Sequence, residues 1–194
     1  MIKKLNPAVL TIVTLLTAFT SKAKAQVPGL ATTFSSDVAI YNATNTQSSK
    51  IRTAERKVRD VISSEEFRSK VINHTYNGRK TFVDNGGLTN TQIYYKILYA
   101  AENYATLKDN EMDLNIKTYF ENSNTVGFTT TTSKYINMNT KFLNNYTSNQ
   151  VARNMTHEWL HKVGFRHAVN YSTSRDYSVP YAVGKIVESL AIYY

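Results

Sequence analysis

Apolar positions recur along this chain with two spacings, and each spacing marks a kind of element. Ile51, Ala54, Val58, Val61 and Ile62 fall three or four apart, which places them on one face of a helix. Arg52, Arg56 and Lys57 form its solvated face. Ser64-Glu65-Glu66 opens a second helix, because acids in a first turn complement the helix dipole; it is expected to run to about His74. Asp84-Asn85-Gly86-Gly87 reads as a loop. Thr89-Asn90-Thr91 caps a third helix, expected from Gln92 to about Leu107. The spacing then shortens toward two. Met112–Phe120, Thr125–Thr129 and Lys134–Thr140 read as strands, and Asp37–Tyr41 as an earlier one.

The helical period returns near the C-terminus. Thr147-Ser148-Asn149-Gln150 fits a capping box, in which a threonine hydroxyl and a glutamine side chain satisfy amides reciprocally. It opens a helix from about Ser148 to Val163. On a helical wheel Val151, Ala152, Met155, Trp159 and Val163 occupy one arc of about 120°. A final helix carries Val183, Ile186, Val187, Leu190 and Ala191, with Pro180 suited to its first turn. Helices, then strands, then further helices fit an α+β domain.

The N-terminus follows a different pattern. Lys3 and Lys4 precede an apolar segment from Pro7 to Thr20, and Ala23-Lys24-Ala25 is an A-x-A site. Residues 1–25 therefore read as a signal peptide cleaved before Gln26, with an uncleaved anchor as the alternative. The apolar segment is short for a membrane span, and no other stretch is apolar enough for one. The expectation is an exported protein, periplasmic or extracellular, and the short signal suggests a bacterial one. Cleavage would leave residues 26–194 as one domain. Within it, 26–50 is either an N-terminal strand region or a short pro-segment whose only acid is Asp37.

Composition changes the picture in two places. There is no cysteine, so disulfides and thiol ligands are excluded and packing must supply stability, with a metal possible as support. The formal charge of +9 becomes +5 once Lys3, Lys4, Lys22 and Lys24 leave with the signal. The remaining basic clusters, Lys50–Lys57 and Arg68–Lys80, read as solvated faces rather than a nucleic-acid surface.

Candidate chemistry lies within one stretch. Residues 157–167 read His-Glu-Trp-Leu-His-Lys-Val-Gly-Phe-Arg-His and hold three of the four histidines. His157 and His161 are one helical turn apart and lie off the apolar arc, so packing does not explain them. Two imidazoles so placed can reach one zinc ion. Glu158 points beside such a metal, where a general base would stand. On a continuous helix His167 would lie about 9 Å beyond His161. It joins the same ion only if the helix ends and the chain swings back, and Gly164 is placed for that stop. Three neutral imidazoles would leave one position open, as a catalytic zinc requires. The fourth histidine, His74, reads as structural.

The pattern H-E-x-x-H-x-x-G-x-x-H resembles the zinc signature of the metzincin metallopeptidases. That resemblance implies an α+β zincin domain with a mixed sheet, a zinc-binding active-site helix and a very small C-terminal subdomain. It implies a zinc-dependent endopeptidase, with His157, His161 and His167 as ligands and Glu158 as the base. Gly164 would be the turn between subdomains. A polypeptide substrate would lie extended along an edge strand, Thr125–Thr129 or Tyr135–Asn139. The chain departs from the pattern further on, since no methionine follows Met155. Tyr177-Ser178-Val179-Pro180-Tyr181 resembles the methionine-containing turn with the methionine lost; Val179 or Pro180 would supply its apolar surface. Tyr181 is the candidate for steadying the reaction's oxyanion, with Tyr177 second. The rivals are a zinc hydrolase of a non-peptide or cell-wall amide, and a binding or toxin-like module that keeps the metal without turnover.

Overall fold

The computed structural model describes residues 34–103 and 109–194; the signal-peptide reading of 1–25 and the expected helix end at Leu107 lie outside them. The fold is α+β. Four strands form one mixed sheet in the order β1-β2-β4-β3. β1 (Ser35–Tyr41), β2 (Glu111–Tyr119) and β4 (Tyr135–Asn139) are parallel neighbours, and β3 (Gly127–Phe128) runs antiparallel to β4 at an edge. The alternation in β2 turns Met112, Leu114, Ile116 and Thr118 inward, as period-two patterning demands. Two sequence expectations are thereby corrected. The Thr125–Thr129 strand contracts to two paired residues, and Tyr135–Asn139 is an interior strand with both edges occupied. The hairpin ladder stops where Thr129 Oγ1 donates to the Tyr135 carbonyl at 2.7 Å, so the strand's C-terminal end is held by a side chain instead.

Parallel pairing of β1 with β2 requires a long crossover, which three helices supply. α1 (Asn45–Ile62) buries the expected stripe of Ile51, Ala54, Val58, Val61 and Ile62 completely. α2 (Glu65–Ile72) begins at the Ser64 cap, and α3 (Asn90–Leu98) begins at a Thr89–Gln92 capping box. α3 is shorter than its sequence pattern suggests. Ala100 is fully buried with φ +46°, a conformation that cannot continue a helix. The Asn103 amide instead donates to the Lys162 carbonyl at 2.8 Å. α1 also has a capping box, Thr44 with Gln47, which the sequence reading passed over. Residues 35–50 thus supply the first strand and the start of α1, and Asp37 lies exposed on that strand. His74 does have partners: it stacks on Phe82 at 3.9 Å, and Nδ1 donates to the Thr81 carbonyl.

The remaining helices are α4 (Thr140–Leu143), α5 (Ser148–Lys162) and α6 (Val179–Leu190), with a 3₁₀ turn at Ser174–Tyr177 and another at Ala191–Tyr193. The expected small C-terminal subdomain has no core of its own. Val179, Val183, Val187 and Leu190 of α6 join the same apolar cluster as α1, α2 and α5. Among the described residues no helix is long and apolar enough to cross a membrane.

α5 occupies the centre and is held by polar as well as apolar contacts. Val151, Ala152, Met155, Trp159 and Val163 are buried, as the wheel requires. The Trp159 indole donates to Glu102 Oε1 at 2.5 Å. Lys162 is fully buried, and its Nζ donates to the Asp113 and Lys134 carbonyls at 3.1 and 2.8 Å, fastening the helix end to β2 and the approach to β4. Burial pushes the Lys162 pKa down to about 8, while the Glu102 and Asp113 carboxylates oppose the shift. Burial likewise pushes the Glu102 carboxyl up. Lys162→Ala leaves a cavity and two unpaired carbonyls, so urea denaturation should show a loss of about 3 kcal/mol. A loss under about 1 kcal/mol would mean that the lysine tie is dispensable.

Candidate metal centre

The capping box predicted for α5 is present: Gln150 donates from its backbone to Thr147 Oγ1, and Thr147 donates from its backbone to Gln150 Oε1. The helix ends where expected. Gly164 has φ +100°, in the left-handed region that glycine enters most easily. Its amide and that of Phe165 bond back to the His161 and Leu160 carbonyls at 3.0 Å. A Cβ at this glycine would also lie 2.9 Å from the Asn103 side chain. The chain therefore reverses, and His167 returns to the helix face that bears His157 and His161.

The three histidines lie close enough together to bind a metal ion. His157 Nε2 is 3.3 Å from His161 Nε2 and 3.2 Å from His167 Nε2. The ring protons explain what this means. His161 Nδ1 faces the Phe165 carbonyl at 2.8 Å, and His167 Nδ1 faces the Ala168 carbonyl at 2.9 Å. A carbonyl only accepts, so both Nδ1 atoms carry the proton, and both Nε2 atoms present bare lone pairs. His157 can donate to only one of them. A cation at the centre satisfies all three at once. Tetrahedral bonds of about 2.0–2.1 Å also place neighbouring ligand nitrogens about 3.3 Å apart, close to the spacing found here. The carbonyl contacts are the kind of outer support that fixes a metal-bound imidazole.

Burial reinforces the neutral state. It drives the His157 pKa down to about 2, assisted by His161 and His167 and then by the nearby Arg153 and Arg175. His161 is also lowered, again chiefly by burial. Glu158 is buried, and that burial pushes its pKa up to about 8, against the pull of a backbone hydrogen bond from Thr129. Glu158 and all three histidines line one cavity of about 650 Å³. Across from α5, the cavity is walled by Thr125, Gly127, Phe128 and Thr129 of β3 and its flanks.

The segment after the third histidine is where the structure sorts the candidates. Tyr181 packs edge-on to His157 at 4.5 Å and also lies 4.8 Å from His167, and it lines the cavity. Tyr177 does not join them. It packs on Tyr76 at 5.0 Å and near His74 on another face, because the Tyr177 carbonyl is tied to the Val83 amide at 2.9 Å. The second-choice tyrosine is therefore corrected. Ser178 is buried and donates to the Arg175 carbonyl at 2.7 Å, while Val179 and Pro180 are buried in the first turn of α6. α6 is able to approach α5 closely because of Gly184: a Cβ there would meet the Arg153 carbonyl at 3.1 Å and His157 Cβ at 3.8 Å. This close crossing brings the Tyr181 ring, rather than a methionine, against the imidazoles.

Sequence reasoning missed Arg175. Its Nη2 donates to the Tyr181 hydroxyl, and its Nη1 donates to the Val169 carbonyl at 3.1 Å. No spacing rule flags an arginine eight residues after the last ligand; only the fold returns it to the cavity. Comparison of the chain with family models, with curated proteins and with solved structures finds no match.

Removing His167 takes away one of three converging donors. His167→Ala should weaken zinc binding by at least about 100-fold in a chelator competition, since even supporting groups are worth 10–100-fold. Unchanged affinity would place the third ligand elsewhere. The depressed His157 pKa gives a pH test on chelator-treated protein. Below about pH 6.5 the unfolded chain takes up a proton that the native state refuses, so stability should fall as pH drops from about 6.5 toward 2. A His157→Gln variant should flatten that slope in thermal melts; an identical slope would assign it to other groups.

Proposed function

We propose that this protein is an exported zinc-dependent endopeptidase with Glu158 as general base. One observation carries the reading: three converging imidazoles and a buried glutamate share one cavity, directly across from the edge strand β3. The resemblance of residues 157–167 to the metzincin signature supports it. The N-terminal signal pattern of residues 1–25 supports export.

A zinc ion held by His157, His161 and His167 supplies Lewis acidity toward water and the scissile carbonyl. The protein's own groups do the rest. Glu158 takes the proton of the attacking water and passes it to the departing nitrogen. Burial raises its pKa, and a cation at the neighbouring imidazoles would favour the carboxylate, the form that accepts a proton. Tyr181 projects its hydroxyl from a ring already packed on two of the imidazoles, and that hydroxyl can donate to oxygen charge as it develops. The extended substrate lies along β3, whose outer edge has unpaired backbone groups to offer. β4 is interior and has none to spare, which favours Thr125–Thr129 over Tyr135–Asn139.

Glu158→Ala should retain zinc and lose about 10²–10⁴-fold in cleavage of a mixed protein substrate; cleavage at the wild-type rate would remove Glu158 from the reaction. Tyr181→Phe should lower kcat by about 10²-fold with KM little changed, as loss of one oxyanion donor does. An unaltered kcat would make Tyr181 a packing residue only.

A further inference from the structure

The cavity's charge is lopsided. Glu158 is the only carboxylate among its lining residues, while Arg153 and Arg175 both face it. Arg153 is partly neutralised, since its Nη1 meets Glu188 Oε2 at 3.1 Å. Arg175 is different. Its guanidinium donates to two neutral groups, the Tyr181 hydroxyl and the Val169 carbonyl, and among the described residues its buried Nε has no partner. Among the described residues no carboxylate lies within ion-pair distance of it. The neighbouring acid, Asp176, is committed to Lys185 at 2.9 Å.

A half-buried guanidinium with no carboxylate beside it carries a charge that the cleft leaves unmatched. It is also held in place here. The Val169 and Tyr181 contacts fix both ends of the fork, and the cation lies 4.7 Å from the Tyr181 ring centre. An arginine immobilised without a counter-charge is preorganised for an anion brought from outside. Planar guanidinium and planar carboxylate match by two parallel hydrogen bonds. The Tyr181 ring centre is 4.7 Å from the guanidinium and 4.5 and 4.8 Å from the His157 and His167 rings, so the guanidinium lies within about three residues of extended chain of the imidazoles.

We propose that Arg175 selects substrates by a carboxylate lying within about three residues of the scissile bond, so that the cleft takes acidic peptides. This rests on the peptidase reading above and deepens it. The carboxylate can come from an aspartate or glutamate side chain or from the substrate's own C-terminus. Arg153, half-neutralised by Glu188, adds a weaker bias of the same sign.

The test measures binding to zinc-loaded Glu158→Ala protein by fluorescence anisotropy. Labelled peptides carry aspartate, asparagine or lysine at each position in turn, with a free or an amidated C-terminus. At one position aspartate should bind about 10-fold more tightly than asparagine, and lysine more weakly than either. A preference lost on amidation assigns the terminal carboxylate; a preference that follows the aspartate assigns the side chain. Arg175→Gln should collapse the preference, and Arg175→Lys should restore part of it. Equal affinity for acidic and neutral peptides, a preference that survives Arg175→Gln, or no peptide binding at all would overturn the proposal. Digestion of a mixed protein substrate by wild-type protein separates the two claims. Cleavage without charge preference sinks the role of Arg175 alone. Arg175-dependent binding without cleavage sinks the peptidase reading alone.

Discussion

Three imidazole Nε2 atoms converge, with that of His157 3.3 and 3.2 Å from those of His161 and His167, and His157 can donate to only one of them at a time. The protein accepts that arrangement because the other nitrogen of two of the rings is already spent on a backbone carbonyl. Protonation of His157 or His161 is opposed by burial. One His157 proton cannot satisfy both neighbours, whereas a divalent cation would satisfy all three nitrogens. That constraint makes sense of the rest of the site: the helix that stops at Gly164, the chain that turns back, and the tyrosine pressed against the rings.

Holding such a cluster requires a rigid platform, and α5 is anchored on every side. Its apolar arc is sunk in the core, the Trp159 indole is bonded to buried Glu102, and Lys162 at its end spans to two carbonyls of the sheet region. α6 closes from the other side at Gly184, where there is room for a hydrogen and not for a methyl group without displacement of the Arg153 carbonyl. Packing and buried hydrogen bonds do the positioning in a chain that has no cysteine. The Tyr181 ring packs against the His157 and His167 imidazoles. It also adds a hydroxyl, which the Arg175 guanidinium holds toward the cavity.

Local signals were legible wherever chemistry and structure share a short span. The α5 capping box, the apolar stripes of α1 and α5, the helix stop at Gly164 and the three histidines all follow from spacing alone. The failures have a common physical cause, which is contact between residues distant in sequence. α3 reads as longer than it is because its end is set by buried Ala100 and by the Asn103–Lys162 contact, not by a breaker. The sequence ranks Tyr181 ahead of Tyr177, and the Val83–Tyr177 bond is the long-range contact that holds the second of them on another face. Lys162 is fully buried at the helix end, where it donates to the Asp113 and Lys134 carbonyls, contacts that no local spacing marks. Arg175 carries no local mark at all.

The central claim is that three imidazoles of one chain hold a single catalytic zinc. X-ray absorption at the zinc edge, on protein purified without added metal, tests it most directly. The account predicts one zinc per chain with three imidazole nitrogens at about 2.0–2.1 Å and one lighter oxygen donor completing a four-coordinate shell. A shell with two imidazoles or four protein ligands, or a protein that carries no zinc and binds none when offered it, would contradict it.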